Sequence, residues 1–250
     1  MRLNESFGGL MERLRAGFQR RFRRHAVLDD ERLRYWHTRL TEFDPGTLLE
    51  RTVSETRFVV LDTETTGFHA YGGDEIVSIA MMEMQGLERT GREFHSLVDP
   101  GRPIPPESSA IHGIRDDDVD GNPGIVEILD PVLEFAHGAV LVGHHVAFDV
   151  RFLNKTLQRA VLCRLPNPCL DTMLLYTAHT GRIGHYSLED VADACDVTLS
   201  DRHTAAGDVR TAAGIFVQLV EELGGGELTL GSLIRGQYQA DDATRHVVQP

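Results

Sequence analysis

Apolar residues in the first half of the chain follow the pattern of strands. Residues 57–62 and 75–84 are rich in apolar and β-branched side chains, and residues 93–98 alternate between polar and apolar. Glycine-containing segments at 71–73 and 86–91 separate these runs and indicate turns. We therefore expect three strands in a meander.

After residue 124 the apolar period changes to that of helices. Ser187 and Asp190 have the spacing of a helix-capping box, and Gly138 is expected to end the first helix. The pattern predicts a strand at 139–143 and helices at 125–136, 148–161, 171–178, 187–195 and 205–223. A meander followed by alternating strand and helices predicts an α/β fold, with a mixed sheet flanked by helices.

Charge divides the chain. Residues 1–57 carry 12 arginines and nine acidic residues, although the whole chain has a net charge of −13. We interpret 1–57 as an Arg-rich helical extension and 224–250 as a tail, with a disordered end near Asp241 and Asp242. The extension either docks on the main domain or forms an arm for nucleic acid or another anionic surface. A docking stripe would consist of Leu10, Leu14, Phe18 and Phe22.

Composition sets limits on class and location. The 250 residues are 41% hydrophobic, which suffices for a globular core, and the longest aliphatic runs fall short of the ~18 residues of a membrane span. The acidic balance argues against a broad basic surface that holds nucleic acid by charge alone. The three cysteines form no CxxC pair and are an odd number, which favours a reducing compartment. The start of the chain lacks the apolar core of a signal peptide. We expect a cytoplasmic protein.

Two carboxylates stand at the end of the first predicted strand, in the segment FVVLDTETTG. Asp62 and Glu64 are two residues apart and therefore project from the same side of a strand. Side-by-side carboxylates repel each other unless a cation lies between them, and oxygen-rich sites suit Mg²⁺ or Mn²⁺. The alternative is a pair of surface acids on a strand edge.

Further candidates occur where later elements meet. Asp149 follows the strand LVG at the start of a predicted helix, and His203 stands five residues before Asp208 at the start of the last helix. Each acid could instead be favoured only by a helix N-terminus. His144 and His145 are ordinary strand-end histidines in our interpretation, rather than metal ligands.

The order of these motifs resembles the DEDDh exonuclease superfamily, which includes the proofreading epsilon subunit of bacterial DNA polymerase III. The resemblance spans 58–223, through DTETTGF, HGI at 112–114, DT at 171–172 and HTAAGD. It implies a ribonuclease H-like mixed five-stranded sheet and an exonuclease domain at 58–223. One departure is His145, where relatives usually carry Asn.

The resemblance also implies roles for individual residues. Asp62, Glu64, Asp149 and Asp208 would hold two Mg²⁺ or Mn²⁺ ions, and His203 would be the general base. Thr65, Thr66 and Gly67 would offer backbone N–H groups to the 3′ end of the substrate, and Glu107 and His112 would contact the terminal nucleotide. The expected reaction is two-metal hydrolysis from the 3′ end, preferably of DNA, with release of nucleoside 5′-monophosphates.

Two alternatives remain open at this point. The first is an RNA 3′-exonuclease of the same fold, similar to ribonuclease T or oligoribonuclease. The second is an interaction module in a polymerase or repair complex, with the extension as its docking element and nuclease activity as a secondary function. The partners implied are a nucleic acid 3′ end, preferably single-stranded DNA, and a polymerase or repair complex, without a membrane.

Overall fold

A computed structural model describes residues 29–248 of the chain. Its strands are β1 (Arg57–Thr65), β2 (Ile76–Gln85), β3 (Glu88–Leu97), β4 (Val140–Gly143) and β5 (Cys169–Asp171). Its helices are α1 (Asp30–Glu42), α2 (Pro106–His112), α3 (Asp116–Val119), α4 (Leu129–Ala136), α5 (Ala147–Ala160), α6 (Thr172–Thr180), α7 (Leu188–Ala194), α8 (Ala205–Leu223) and α9 (Leu230–Val248).

The five strands form one mixed sheet in the order β3-β2-β1-β4-β5. The β1–β2 and β2–β3 pairs are antiparallel, whereas β1–β4 and β4–β5 are parallel. The predicted mixed five-stranded sheet with flanking helices is confirmed. Strand β1 lies at its centre, which explains why its residues from Phe58 to Leu61 are all apolar and buried.

Helices cover both faces of β1, and its side chains alternate between two cores. Phe58 belongs to the core that includes Phe216 of α8, and their ring centroids lie 4.9 Å apart. Val59 belongs to the core that includes Phe152 of α5. Because strand side chains alternate, positions 62 and 64 project toward the α8 side and position 63 toward the α5 side.

The predicted helices are present with small shifts, but some elements escaped prediction. The helix expected from 125 begins at Leu129, and the Ser187–Asp190 capping box is present. The second turn of the meander is only two residues long, so β3 begins at Glu88 instead of 93. The individual run of β5 was not identified, nor were α2 and α3, because each is too short to show a period.

Helix α1 packs on the domain. Leu33, Trp36 and Leu40 are buried against apolar side chains of α4 and α5. Arg32 Nε and Trp36 Nε1 each lie 2.5 Å from Asp130 Oδ1 at the start of α4. The stripe proposed for docking (Leu10, Leu14, Phe18 and Phe22) lies outside the described residues.

Helix α9 replaces the expected tail with ordered structure. The expected disorder at Asp241 and Asp242 is wrong, because both lie in this helix. Gln237 is buried and its side chain accepts a hydrogen bond from Asp171 N (2.6 Å) and donates one to the Cys169 carbonyl (3.1 Å). An amide side chain thus pairs with the backbone of the outermost strand, which is otherwise an open sheet edge.

Within residues 29–248, every helix is too short or too polar to traverse a bilayer.

Candidate active site

The site forms where β1 extends beyond its parallel neighbour. Pairing with β4 covers only Phe58 to Val60, so the end of β1 continues past it. Gly143 ends β4 against β1, where an added Cβ would lie 2.9 Å from the Leu61 carbonyl oxygen. Asp62 and Glu64 are partly exposed on either side of buried Thr63, as the alternation predicts.

Asp149 reaches the same strand end from the opposite face of the sheet. It lies in the first turn of α5 and is 3% exposed. Its Oδ1 accepts hydrogen bonds from Thr63 N (2.9 Å) and Thr63 Oγ1 (2.6 Å). The residue between the two β1 carboxylates therefore fixes the third.

Asp208 approaches from the first turn of α8. Thr204 caps this helix by accepting a hydrogen bond from Gly207 N (3.1 Å). A side chain at Gly207 would lie 2.2 Å from the Asp201 carbonyl oxygen, so only glycine allows the loop to fold this tightly onto the helix. One carboxylate oxygen from each of Asp62, Glu64 and Asp208 lies within 4.8 Å of the others.

His203 stands on the loop before α8. It is exposed, and its backbone has the left-handed φ of 61°. Burial raises the pKa of Asp208, whereas Arg202 and a hydrogen bond from the backbone of His203 act to lower it, so His203 lies close to that carboxylate. The structure therefore places His203 next to the carboxylate cluster, and its role as the general base stays a prediction.

The electrostatics of the cluster favour a cation. Burial and then the charges of Asp149, Glu64 and Asp208 raise the pKa of Asp62 well above its usual range. Burial also raises the pKa of Glu64 to about 7 and that of Asp149 to about 7. Asp208 Oδ1 is buried without a hydrogen-bond partner among the described residues.

These observations fit a divalent metal centre. The donors are all carboxylate oxygens, which hard cations prefer, and a cation would relieve the repulsion that raises their pKa values. Asp62, Glu64, Asp149 and Asp208 would be its ligands.

The carboxylate cluster should make the stability of the metal-free protein depend on pH. The pKa of Glu64 rises from its ordinary 4.5 to about 7, so the folded protein holds more protons than the unfolded chain between these values. The free energy of unfolding of metal-free protein should therefore fall with rising pH across that window, by about 1–3 kcal/mol for the cluster. Thermal unfolding at pH 5 and pH 8 in chelator measures this fall, and saturating Mn²⁺ should reduce it because metal binds the deprotonated form. A Glu64→Gln variant should show a smaller fall in the free energy of unfolding. A fall as large as that of the wild type would contradict the assignment.

Arg202 is a residue that the sequence analysis missed. Its Nη1 lies 2.5 Å from Asp208 Oδ2, and its Nε lies 2.5 Å from Glu189 Oε1 in the first turn of α7. The only sequence signal is its position next to His203, since Glu189 lies 13 residues earlier and contacts it only in the folded chain.

The loop after β1 is held by hydrogen bonds. Thr65 and Thr66 are buried, and Thr66 N donates to the Glu75 carbonyl (2.9 Å). The Thr66 N–H thus donates within the protein, and the contact of Thr66 with substrate stays a prediction. Gly67 lets Asp74 approach closely, since an added Cβ would lie 2.5 Å from Asp74 Oδ2.

Lys155, the single lysine of the chain, supports the same loop. It is 2% exposed, and its Nζ lies 2.7 Å from Glu75 Oε1 and also donates to the Asp74 carbonyl. An ion pair from α5 thus fixes the segment that returns the chain to β2.

The two candidates on α2 differ in exposure. Glu107 is exposed in the first turn of this helix, whereas His112 at its end is buried. Burial lowers the pKa of His112, and a backbone group of Thr65 acts in the opposite direction, so the ring lies beside that segment. The structure links His112 to Thr65. The contact roles of Glu107 and His112 toward a nucleotide stay predictions.

The two adjacent histidines that follow β4 have structural contacts. His144 Nδ1 lies 2.9 Å from Thr172 Oγ1 and its Nε2 lies 2.9 Å from the Tyr186 carbonyl oxygen. His145 stacks on His185 with ring centroids 4.7 Å apart, and its φ is 58°. Asn also tolerates this left-handed conformation, so the backbone at this position suits both His145 and the Asn that the resemblance implies here.

Comparison with known proteins identifies the family of this chain. A family model described as an exonuclease, RNase_T, matches residues 59–216, which include all five residues of the carboxylate and histidine set. The chain belongs to this exonuclease family.

Curated relatives of this exonuclease chain are named as DNA polymerase III proteins. A DNA polymerase III subunit epsilon-like protein of Rhodobacter capsulatus is 40% identical over 179 residues, or 70% of this chain and 25% of the relative. DNA polymerase III PolC-type of Thermotoga maritima is 32% identical over 69% of this chain and 12% of the relative. DNA polymerase III subunit epsilon of Aquifex aeolicus is 33% identical over 66% of this chain and 81% of the relative. The chain thus spans a quarter or less of the first two relatives and most of the third.

Solved structures of exonucleases have the same fold. Exonuclease X in complex with 5′ overhanging duplex DNA aligns with a TM-score of 0.55 at 23% identity, covering 71% of this chain and 99% of that one. A structure of exonuclease I aligns with a TM-score of 0.58 at 16% identity, covering 78% and 46%. Identities this low establish the fold alone.

Proposed function

We propose that this protein is a divalent-metal-dependent 3′–5′ exonuclease that prefers DNA and releases nucleoside 5′-monophosphates in proofreading or repair. The observation that carries the proposal is the convergence of Asp62, Glu64 and Asp208 within 4.8 Å, with Asp149 tied to Thr63 beside them. Its catalytic unit is residues 58–223, with 1–57 as an extension and 224–250 as a C-terminal segment.

Each residue has a distinct task in this mechanism. The four carboxylates would hold two Mg²⁺ or Mn²⁺ ions, and such a pair supplies an activated water and charge stabilisation at the attacking and leaving oxygens of the phosphate. His203, exposed at the edge of the cluster, would take the proton of the attacking water, since a neutral imidazole nitrogen can accept a proton. Thr63 keeps Asp149 oriented through its two hydrogen bonds.

An exposed aromatic residue in the loop after β1, which forms the rim of the site, supports a contact with substrate. Phe68 lies in the loop after β1 and is 73% exposed, and its ring centroid lies 6.2 Å from that of Phe148. An exposed aromatic ring beside a phosphate-cleaving site is suited to stack on an unpaired terminal base. Thr65, Thr66, Gly67, Glu107 and His112 would complete the contacts with the last nucleotide.

Digestion of three substrates by the full-length protein tests the proposal. The substrates carry a 5′ label and are single-stranded DNA, duplex DNA with a mismatched 3′ end, and RNA of the same sequence. With Mg²⁺ or Mn²⁺ we expect a ladder of labelled products shortened from the 3′ end, 5′-mononucleotides as the released species, and no reaction in chelator. RNA digested faster than DNA would overturn the DNA preference, and loss of the label as a mononucleotide would overturn the polarity.

We extend the proposal to a polymerase or repair-complex partner that binds the N-terminal extension, because relatives of this chain are named as DNA polymerase III proteins. The test deletes residues 1–28 only, since Leu33, Trp36 and Leu40 belong to the core. The shortened protein should keep its exonuclease activity and lose co-purification with the replicative DNA polymerase. Co-purification at the level of the full chain would contradict this role.

A further inference from the structure

Arg202 occupies the place where a cation is needed. Its guanidinium joins Asp208, one of the clustered carboxylates, to Glu189, which lies outside the cluster at the start of α7. The arginine side chain is 26% exposed and that of Asp208 is 10% exposed, so the pair is only partly screened by water. Its positive charge opposes the like-charge repulsion at Asp62, Glu64 and Asp208.

The two anchors of Arg202 are not equivalent. Asp208 Oδ2, which accepts from Arg202, belongs to a carboxylate that a divalent ion would need. Glu189, whose side chain is 38% exposed, has no such second task, and its bond to the guanidinium holds its pKa at about 2. Glu189 can therefore retain Arg202 when Asp208 is taken by an ion.

A divalent ion and the guanidinium compete at this position. Each is attracted by the same carboxylates, and two cations a few ångströms apart repel each other. The arginine remains charged at every relevant pH, so it cannot leave by losing its proton. Asp208 Oδ1, which has no hydrogen-bond partner among the described residues, offers the ion its first contact, and the charge of the ion then weakens the bond of Arg202 to Oδ2 of the same carboxylate.

We propose that Arg202 is a built-in counter-ion: it neutralises the carboxylate cluster in the metal-free protein and is displaced from Asp208, while held by Glu189, when a divalent ion binds. Arg202 then stabilises the metal-free site and weakens its affinity for the ion. The proposal rests on the metal-dependent function above, because the competitor is that metal.

Calorimetric titration with Mn²⁺ measures this competition directly. We expect Arg202→Gln to bind Mn²⁺ about tenfold more tightly than wild type, because a competing unit charge is removed next to a ligand. Arg202→Lys keeps a cation and should bind Mn²⁺ nearly as wild type does. Arg210→Gln is the matched control, since Arg210 lies on α8 but pairs with exposed Asp201 at 3.8 Å, and it should leave the affinity unchanged.

Thermal unfolding gives a second readout that does not depend on activity. In chelator, Arg202→Gln should unfold at a lower temperature than wild type, because the carboxylates lose their counter-ion. Addition of Mn²⁺ should then raise its unfolding temperature by more than it raises that of wild type, as tighter binding requires.

The outcomes separate the two proposals. Equal or weaker Mn²⁺ binding by Arg202→Gln, with clear binding by wild type, overturns the counter-ion role and leaves the metal centre standing. Lack of Mn²⁺ binding in both proteins overturns both. An Arg202→Lys variant that binds as tightly as Arg202→Gln also overturns the role, because the charge would then be irrelevant.

Discussion

Asp62→Asn should abolish exonuclease activity and stabilise the metal-free protein. Burial, and then the charges of Asp149, Glu64 and Asp208, raise the cost of ionising Asp62. The amide has the same size but loses the ligand charge, so we expect the rate to fall by about 10³-fold or more, or ~4 kcal/mol of transition-state stabilisation. The same change removes like-charge repulsion, so the unfolding temperature in chelator should rise.

The opposite signs of these effects identify a metal site instead of a structural acid. Replacement of a carboxylate that has only a structural role would lower the stability of the protein. The measurements are initial rates on 5′-labelled single-stranded DNA with Mn²⁺, and thermal unfolding in chelator. Glu93→Gln, an exposed carboxylate on β3, is the matched control and should change neither quantity. An Asp62→Asn protein that digests DNA at the wild-type rate would rule out the assigned site.

The grouping of the carboxylates could be predicted because local rules govern each one. Alternation along a strand places Asp62 and Glu64 on one side, and a carboxylate is favoured in the first turn of a helix, as at Asp149 and Asp208. The order of these local motifs is what the resemblance recognises. The sequence therefore sufficed to predict the fold and to name the acids that the structure brings together.

The remaining features depend on contacts between distant segments. Arg202 meets Glu189 only because the loop before α8 folds back on the start of α7. The Thr66 N–H is consumed by the Glu75 carbonyl across the β1–β2 loop, which no local pattern reveals. Gln237 pairs with the edge strand only because α9 packs there. The sequence does not reveal this contact, and the polar residues at the end of the chain predicted a disordered segment instead.

The acidity of the chain now has a local explanation as well as a global one. The net charge of −13 includes the four carboxylates of the site, and metal would offset their charge. The remaining acidic excess still opposes binding of a polyanion by charge, so we expect contact limited to the terminal nucleotides. The exposed aromatic Phe68 at the rim suits such a contact better than a basic track would.

His203→Asn should lower turnover while leaving metal binding intact. His203 is exposed beside Asp208, and its backbone has a φ of 61°, which Asn tolerates far better than Ala. Asn therefore removes the base without straining the loop that carries Arg202. Loss of a general base typically costs about 10²–10⁴-fold, and the turnover number on single-stranded DNA should fall within that range.

The pH profile distinguishes a base from a residue that only positions the loop. At saturating Mn²⁺ the wild-type rate should fall on acidification, because a protonated imidazole cannot accept the proton of water. The residual rate of His203→Asn should vary much less over the same interval, and its Mn²⁺ affinity should match wild type. His179→Asn, at a histidine that contacts Glu222 (3.0 Å), is the control and should keep the wild-type profile. If the rate of His203→Asn decreased on acidification as much as that of the wild type, another group would have to accept the proton. His203 would then have only a structural role in the turn before α8.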